Sequence, residues 1–488
     1  MSRSLGTVLL LFISAFLLGG CDRSSESVGP STEGAASSSS PGQPGSAAEN
    51  EKTLVAATKP QNLLVLTIDT LRADALGAYG NSGKHTPQLD ALAARSVVFE
   101  NAYAPIATTF PSHSTLFTGV YPRLHGVRWN GHNLGDEWTT LAELLADRGY
   151  QTGAFVSYKA MVNRGGLGQG FSARSDPEVQ PWDGARDGNA TVAMAQEWMG
   201  EIDSEQPFFL WVHLFEPHVP YPLTDYASEA MGDYAGVFAD GSDADEIHEL
   251  PKGWADDPAE VAALRALYDG RVRDADAQVG RLFETLSELG LADRTMVAML
   301  GDHGQLLGEH GAAGHGPVLF EEVLRVPLML SDPTASVSAG RVAERVGLID
   351  VMPTLLERLG EALPEGLQGR SLAPSMFGKS LSSRPYFAEV RVPKPEPGAD
   401  ADDQEDGAVA VFQGRYKLVV KGKQRKLYDL SRDPAEATSL SADLPDIVDE
   451  LEAMAYRHQQ LRELLDSVGS GELDDEALAE LKALGYLK

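Results

Sequence analysis

Cysteine is almost absent from this 488-residue chain, in which Cys21 is the single one. One thiol makes no disulfide within the chain and no thiolate metal cluster, so a bound metal has to be held by oxygen and imidazole nitrogen. Basic residues are scarce as well, 40 lysines and arginines against 71 aspartates and glutamates, giving a formal net charge of -31 and a sequence pI near 4.7. That average field repels a phosphate backbone and argues against nucleic acid as a partner. It does not exclude a small anionic ester, because a metal and local histidines reverse the sign inside a cleft. The apolar stretch from Val8 to Leu18 is shorter than the ~20 residues needed to span a bilayer. The chain is long enough for one large domain and a smaller one.

What is there begins at that N-terminal stretch. With Arg3 before it and Leu18-Gly19-Gly20-Cys21 after it, it resembles a bacterial lipoprotein signal ending in a lipobox. The resemblance implies residues 1–21 as signal, Cys21 as a diacylated N-terminus, and a membrane contact through that lipid anchor. Asp22 implies the periplasmic face of the inner membrane. Residues 22–59 are Ser, Gly, Pro, Ala and Glu with almost no large apolar side chain, too little to bury, and are expected to form a disordered tether.

Three later stretches carry chemistry. Asn62-Leu63-Leu64-Val65-Leu66-Thr67-Ile68-Asp69 is an apolar run of strand length ending in a carboxylate, the pattern by which a buried parallel strand delivers a ligand at its C-terminal edge. Met296-Val297-Ala298-Met299-Leu300-Gly301-Asp302-His303-Gly304 repeats the device. Between them, Thr108-Thr109-Phe110-Pro111-Ser112-His113-Ser114-Thr115-Leu116-Phe117-Thr118-Gly119 suits a hydroxyl nucleophile on a turn before a helix, where N–H groups and the helix dipole favour an anion. Two Asp-tipped strands and a hydroxyl turn can supply oxygen and nitrogen ligands to one divalent cation.

Together these residues resemble the sulfatase-like branch of the alkaline phosphatase superfamily, over roughly Asn62 to Leu440. Thr109-Phe110-Pro111-Ser112-His113 through Thr118-Gly119 falls on the sulfatase signature Cys-x-Pro-Ser-Arg-(four residues)-Thr-Gly. The residue that becomes formylglycine is Thr109, which cannot be oxidised to an aldehyde, and the arginine is His113. Thr70 replaces a second metal-binding Asp, Ser157 and Lys159 replace a Lys-x-His pair, and His315 falls where sulfatases place a sulfate-binding lysine. The layout is also similar to the phosphoethanolamine transferases, which use a threonine nucleophile and a His pair spaced like His213 and His218. The resemblance implies an α/β fold, an alkaline-phosphatase-like α/β/α sandwich over 60–380, a small C-terminal antiparallel sheet over 381–446 and a helical tail over 447–488.

The rest of the chain reads as scaffold around this. Thr139 to Arg148 patterns as a helix, Tyr150 to Ser157 as a strand, and Pro207 to His218 as an apolar strand ending in two histidines. Tyr221 to Pro258 is acidic and irregular, a lid, a substrate-facing loop or a surface insertion. Pro258 to Leu289 reads as a long helix, Arg325 to Leu330 as a buried strand and Asp350 to Leu359 as a core helix. Short strands are expected at Tyr386 to Val392, Ala408 to Gln413, Tyr416 to Lys421 and Lys426 to Asp429, interrupted by an acidic loop, 393–407.

Ester hydrolysis needs a nucleophile in line with the leaving oxygen and positive charge on the equatorial oxygens. Thr109 is the expected nucleophile, and Asp69, Thr109, Asp302 and His303 the expected ligands of a divalent ion: zinc, manganese or magnesium by donor type, or calcium as in sulfatases. His218 and His315 are expected to contact the anionic substrate or complete a second metal site, and His113 to orient the ester or protonate the leaving group. The expectation is a metal-dependent hydrolase of phosphate mono- or diesters or sulfate esters, acting on a small anionic ester or an envelope glycan or lipid. The alternatives are a formylglycine-independent sulfuric ester hydrolase, a phosphotransferase on envelope lipids or glycans, and a non-catalytic envelope binding protein. Oligomeric state is not legible.

Overall fold

The computed structural model describes residues 61–461 apart from 84, 159–160, 164, 178–184, 243–246, 248, 336–339 and 392–406. The lipobox, the tether, Lys159, nearly all of the acidic loop and the chain after residue 461 lie outside the described residues. Among those described, no helix is long and apolar enough to cross a membrane.

The apolar runs become the centre of a nine-stranded mixed sheet. Asn62–Ile68 lies between Thr295–Gly301 and Phe208–Leu214, parallel to both, and Gln151–Val156 continues beyond Phe208–Leu214. Arg325–Ser331 and Val97–Tyr103 extend the other side, with Arg325–Ser331 antiparallel to both its neighbours. Side chains alternate across the sheet, so each central strand feeds two cores. Leu63 and Val65 pack with Phe110, Phe117 and Trp211 on one face, while Leu64, Leu66 and Ile68 pack with Leu264, Val272 and Leu282 on the other. The layers are helix, sheet and helix, the α/β/α sandwich expected.

The long helix Pro258–Glu288 forms because Pro258 sits at its first turn, Asp257 caps it by accepting from the Ala259 N–H, and apolar residues recur every three or four positions from Ala263 to Leu286. Its buried Asp276 accepts from the N–H groups of Gln88 and Leu89, so one helix caps another. The Thr139–Arg148 helix is shorter than its pattern, Leu141–Ala146, with a capping box between Thr140 and Glu143. Tyr221 to Pro258 is not wholly irregular, for Asp225–Met231 is helical and packs on the long helix.

The C-terminal part is a four-stranded antiparallel sheet, Tyr386–Val390, Ala408–Gln413, Tyr416–Lys421 and Gln424–Asp429, with helix Pro445–Gln459 packed on it. Buried charges tie it to the loops around the strand ends. Fully buried Glu389 meets Arg123 at 2.9 Å, Arg128 at 2.8 Å and His458 at 3.3 Å. Fully buried Lys417 meets Glu321 at 3.1 Å and Glu436 at 2.8 Å.

Candidate active site

Asp69 and Asp302 each follow the C-terminal end of a central strand, and because Asn62–Ile68 and Thr295–Gly301 are parallel neighbours in register, the two carboxylates arrive side by side. Both are buried. Thr109 is the first residue of helix Thr109–Thr118 rather than a residue of the turn before it, with Thr108 at the cap and Pro111 in the first turn, where the missing N–H is not needed. The Asn130 side chain accepts from the Phe110 N–H, and the Ser112 hydroxyl donates to the Asp302 carbonyl at 2.7 Å, fastening the helix start to the end of the strand that delivers Asp302.

Ligand atoms of Asp69, Asp302 and His303 all lie within 4.8 Å of one another. His303 Nδ1 donates to the Gly304 carbonyl at 3.0 Å, which leaves Nε2 as a lone pair, 3.4 Å from Thr109 Oγ1, 3.7 Å from Asp69 and 3.6 Å from Asp302. Asp302 Oδ1 accepts from the N–H groups of Thr70 and His303, but Asp302 Oδ2 and both oxygens of Asp69 have no hydrogen-bond partner. Burial pushes the Asp69 carboxyl well above its usual range, against the opposing effect of the nearby Thr109 hydroxyl and Thr70 amide. Burial, then the negative Asp69, pushes Asp302 up to about 7. Two buried carboxylates with orphaned oxygens beside an imidazole lone pair are the donor set a divalent cation needs, so the residues fit the metal that the sequence implies.

Thr70, standing where sulfatases place a second Asp, has φ of 54°. A β-branched residue in the left-handed region is strained by about 1–3 kcal/mol, and the surroundings impose it: its N–H goes to Asp302 and its carbonyl accepts from Tyr268.

The histidines divide into two groups. His218 and His315 meet beside His303, Nε2 to Nε2 at 3.0 Å, with the His315 ring centroid 4.5 Å from that of His303. Their Nδ1 atoms face carbonyls, of Val219 at 2.6 Å and Ala107 at 3.3 Å, so two Nε2 lone pairs converge. One added proton converts that contact from repulsion into a hydrogen bond, which makes the pair a place for positive charge.

His113 lies behind the carboxylates, its Nδ1 3.7 Å from Asp302 Oδ2. It is fully buried under the helix, Nδ1 donating to the Thr109 carbonyl at 2.8 Å and Nε2 against the Thr67 hydroxyl at 3.0 Å, and burial, then His213, holds it down at about 3. The expectation that it protonates a leaving group is corrected: both nitrogens are spent on the protein and the ring is uncharged. His213 is likewise not a strand-end residue but sits inside Phe208–Leu214, opposite Thr67 on one side and Val156 on the other. Ser157 is buried and bonded to Thr191. Sequence reasoning passed over Thr67, whose signal was a lone hydroxyl in an apolar strand two residues before Asp69 and so on the same face.

The fold and this site define an alkaline phosphatase superfamily architecture. Residues 61–361 match the sulfatase family model, residues 308–464 match the model for the N-sulphoglucosamine sulphohydrolase C-terminal region, and the chain belongs to the sulfatase family. Similar proteins include an arylsulfatase of Clostridium perfringens, 24% identical over 473 residues that cover 82% of this chain and 95% of the relative. The multifunctional alkaline phosphatase superfamily protein PehA of Trinickia caryophylli is 25% identical over 477 residues, 78% of this chain and 91% of that protein. Among solved structures, the phosphonate monoester hydrolase of Agrobacterium radiobacter superposes with a TM-score of 0.66 at 23% identity, covering 86% of this chain and 97% of the other. The protein is accordingly an ester hydrolase of this family.

Proposed function

We propose that this chain is a metal-dependent hydrolase of phosphate mono- or diesters or of sulfate esters, with Thr109 Oγ1 as the nucleophile. The observation that carries the reading is the position of that hydroxyl: first turn of a buried helix, 3.4 Å from the His303 lone pair and beside carboxylate oxygens that nothing else satisfies. Asp69, Asp302 and His303, with Thr109, would hold the divalent cation, which when bound would neutralise the carboxylates, favour the ionised threonine and polarise the ester.

The chain's own residues supply the rest. The N-terminus of helix Thr109–Thr118 favours the ester anion. Thr109 Oγ1, its proton already lost to solvent, attacks the phosphorus or sulfur as the alkoxide, the bond to the leaving oxygen breaks, and that oxygen takes a proton from the His218–His315 pair. The resulting threonine ester is cleaved when water attacks the same phosphorus or sulfur, gives one proton back to the pair and keeps the other on the released phosphate or sulfate, while the threonine oxygen departs as the alkoxide that began the cycle. A threonine ester, unlike a formylglycine hemiacetal, has no internal route of release, which favours phospho-ester chemistry over the sulfate ester that the arylsulfatase relative supports. On the lipobox reading of Cys21 the substrate is a small anionic ester or an envelope glycan or lipid reached from the periplasm.

The test is turnover of 4-nitrophenyl phosphate, bis(4-nitrophenyl) phosphate, an aryl phosphonate monoester and 4-nitrophenyl sulfate by metal-replete wild type and Thr109→Ala. Loss of roughly 10⁴-fold or more in the variant, with a phosphoryl or sulfuryl group trapped on the Thr109 peptide of wild type, is expected. Turnover surviving in Thr109→Ala removes the assignment. Product that forms only with an added acceptor makes the protein a transferase.

A further inference from the structure

Behind the carboxylates lies a buried hydrogen-bond network with one consistent solution. Thr67 Oγ1 has three neighbours at 3.0 Å: Trp211 Nε1, His113 Nε2 and His213 Nδ1. A hydroxyl donates once and accepts twice, so all three contacts are satisfied only if it gives its proton to one of them. Trp211 Nε1 is always a donor. His113 Nδ1 donates to the Thr109 carbonyl at 2.8 Å, so in the neutral ring Nε2 is an acceptor and takes the Thr67 proton. The remaining partner, His213 Nδ1, must therefore donate to Thr67. That leaves His213 Nε2 as a lone pair.

Its surroundings show where the lone pair goes. His213 Nε2 is buried, has no hydrogen-bond partner and lies 3.6 Å from Asp69 Oδ2, which has none either. Two desolvated acceptors facing each other are unfavourable, and an ordinary core histidine would have both nitrogens bonded. A cation bound at about 2.1 Å from each atom fits such a gap, and since His213 Nε2 stands outside the 4.8 Å grouping of Asp69, Asp302 and His303 the ring has to close toward the ion as it binds.

We propose that His213 is a further ligand of the cation held by Asp69, Asp302 and His303, and that Thr67, bridging His113 and His213, is the positioning residue that fixes the ligating tautomer. The inference rests on the cation reading given above. Its consequence is metal choice. With two imidazoles instead of one, the site selects zinc or manganese over calcium and magnesium, which prefer all-oxygen shells.

The test uses the full chain, stripped of metal and titrated calorimetrically with Zn²⁺, Mn²⁺, Mg²⁺ and Ca²⁺, and the visible absorption of the Co²⁺-loaded protein, in wild type, His213→Asn, Thr67→Val and Asp69→Asn. Expected are Zn²⁺ affinity in wild type at least ~100-fold above Ca²⁺, a 10–100-fold loss of Zn²⁺ affinity in His213→Asn with a changed Co²⁺ spectrum, and a smaller loss in Thr67→Val, which keeps the side-chain shape. Unchanged Zn²⁺ affinity and Co²⁺ spectrum in His213→Asn, while Asp69→Asn abolishes binding, overturn the role of His213 and leave the cation site standing. Binding that survives Asp69→Asn overturns the cation reading itself. Should His213→Asn not fold, full wild-type affinity and spectrum in Thr67→Val overturn the tautomer lock.

Discussion

On the cation reading, stripping the ion should turn Asp302 from a ligand into a liability, and pH controls by how much. In the metal-free protein, burial and the neighbouring Asp69 raise the Asp302 carboxyl from its ordinary 3.8 to about 7. A carboxyl raised on folding keeps a proton that the unfolded chain has released, so this residue costs stability as pH climbs between those two values and the full cost is present above the upper one. From pH 5 to pH 8 about two units of that interval are crossed, on the order of 3 kcal/mol. The total slope is not the readout, because buried neutral histidines push the other way: His113, His125 and His303 at about 3 and His213 at about 4 lose stability as pH falls below the ordinary histidine value. The difference between wild type and Asp302→Asn removes most of that background, since Asn keeps the acceptor for the Thr70 and His303 N–H groups, while His113 and His213 lose the upward pull of the Asp302 charge. In EDTA-treated samples followed by differential scanning calorimetry, the variant should gain on wild type between pH 5 and pH 8, by roughly 5 °C in melting temperature. Excess Zn²⁺ or Mn²⁺ should work the other way, adding about 4 kcal/mol to wild type at a thousandfold over Kd and little to the variant. A difference that does not change with pH refutes the reasoning.

Glu389→Ala should cost about 3–5 kcal/mol in urea unfolding, because it removes the fully buried carboxylate that Arg123, Arg128 and His458 share. Gly304→Ala should weaken metal binding at least ~10-fold, since its Cβ would lie 2.0 Å from the Glu322 carbonyl and the displaced backbone carries His303. With 4-nitrophenyl esters, whose leaving group needs no proton, His218→Ala should slow breakdown of the threonine ester more than its formation, seen as a stopped-flow burst and a trapped adduct; equal slowing of both phases contradicts the proton role.

The strands were legible because a strand buried on both faces has to be apolar throughout, and Asn62–Ile68 and Thr295–Gly301 meet that demand without ambiguity. The long helix was legible to within a residue for a similar reason, its apolar period running from Ala263 to Leu286 behind a Pro and an Asp cap. Asp225–Met231 was not, since its acidic composition matches that of a surface loop; the Thr224 cap, accepting from the Ala227 N–H, was the available sign. The antiparallel order of Arg325–Ser331 was also hidden, for pairing direction depends on how the chain returns to the sheet and not on the strand's own residues.

In the site, the pattern picked out Asp69, Asp302 and His303, whose ligand atoms converge, and did not show how His113 is held. Four residues after Thr109 on a helix, a histidine has the Thr109 carbonyl within reach of Nδ1, so His113 turns inward and its other nitrogen is left for Thr67. That contact decides the direction of the Thr67 proton, and the Thr67 proton decides which nitrogen of His213 faces Asp69. The two departures from the sulfatase signature, Thr109 and His113, are thereby linked through the structure. A hydroxyl that is never oxidised must be made nucleophilic by its surroundings, and a histidine in the arginine position removes a fixed positive charge from beneath the helix while setting a lone pair beside the carboxylates. Exchanging His113 for arginine should therefore not restore sulfatase character. It would bring a cation against Trp211 and His213, whose rings now lie 5.3 Å and 4.8 Å away, turn Asp302 Oδ2, 3.7 Å from His113 Nδ1, toward that arginine and away from the proposed ion, and leave Thr67 without the acceptor that orients the rest.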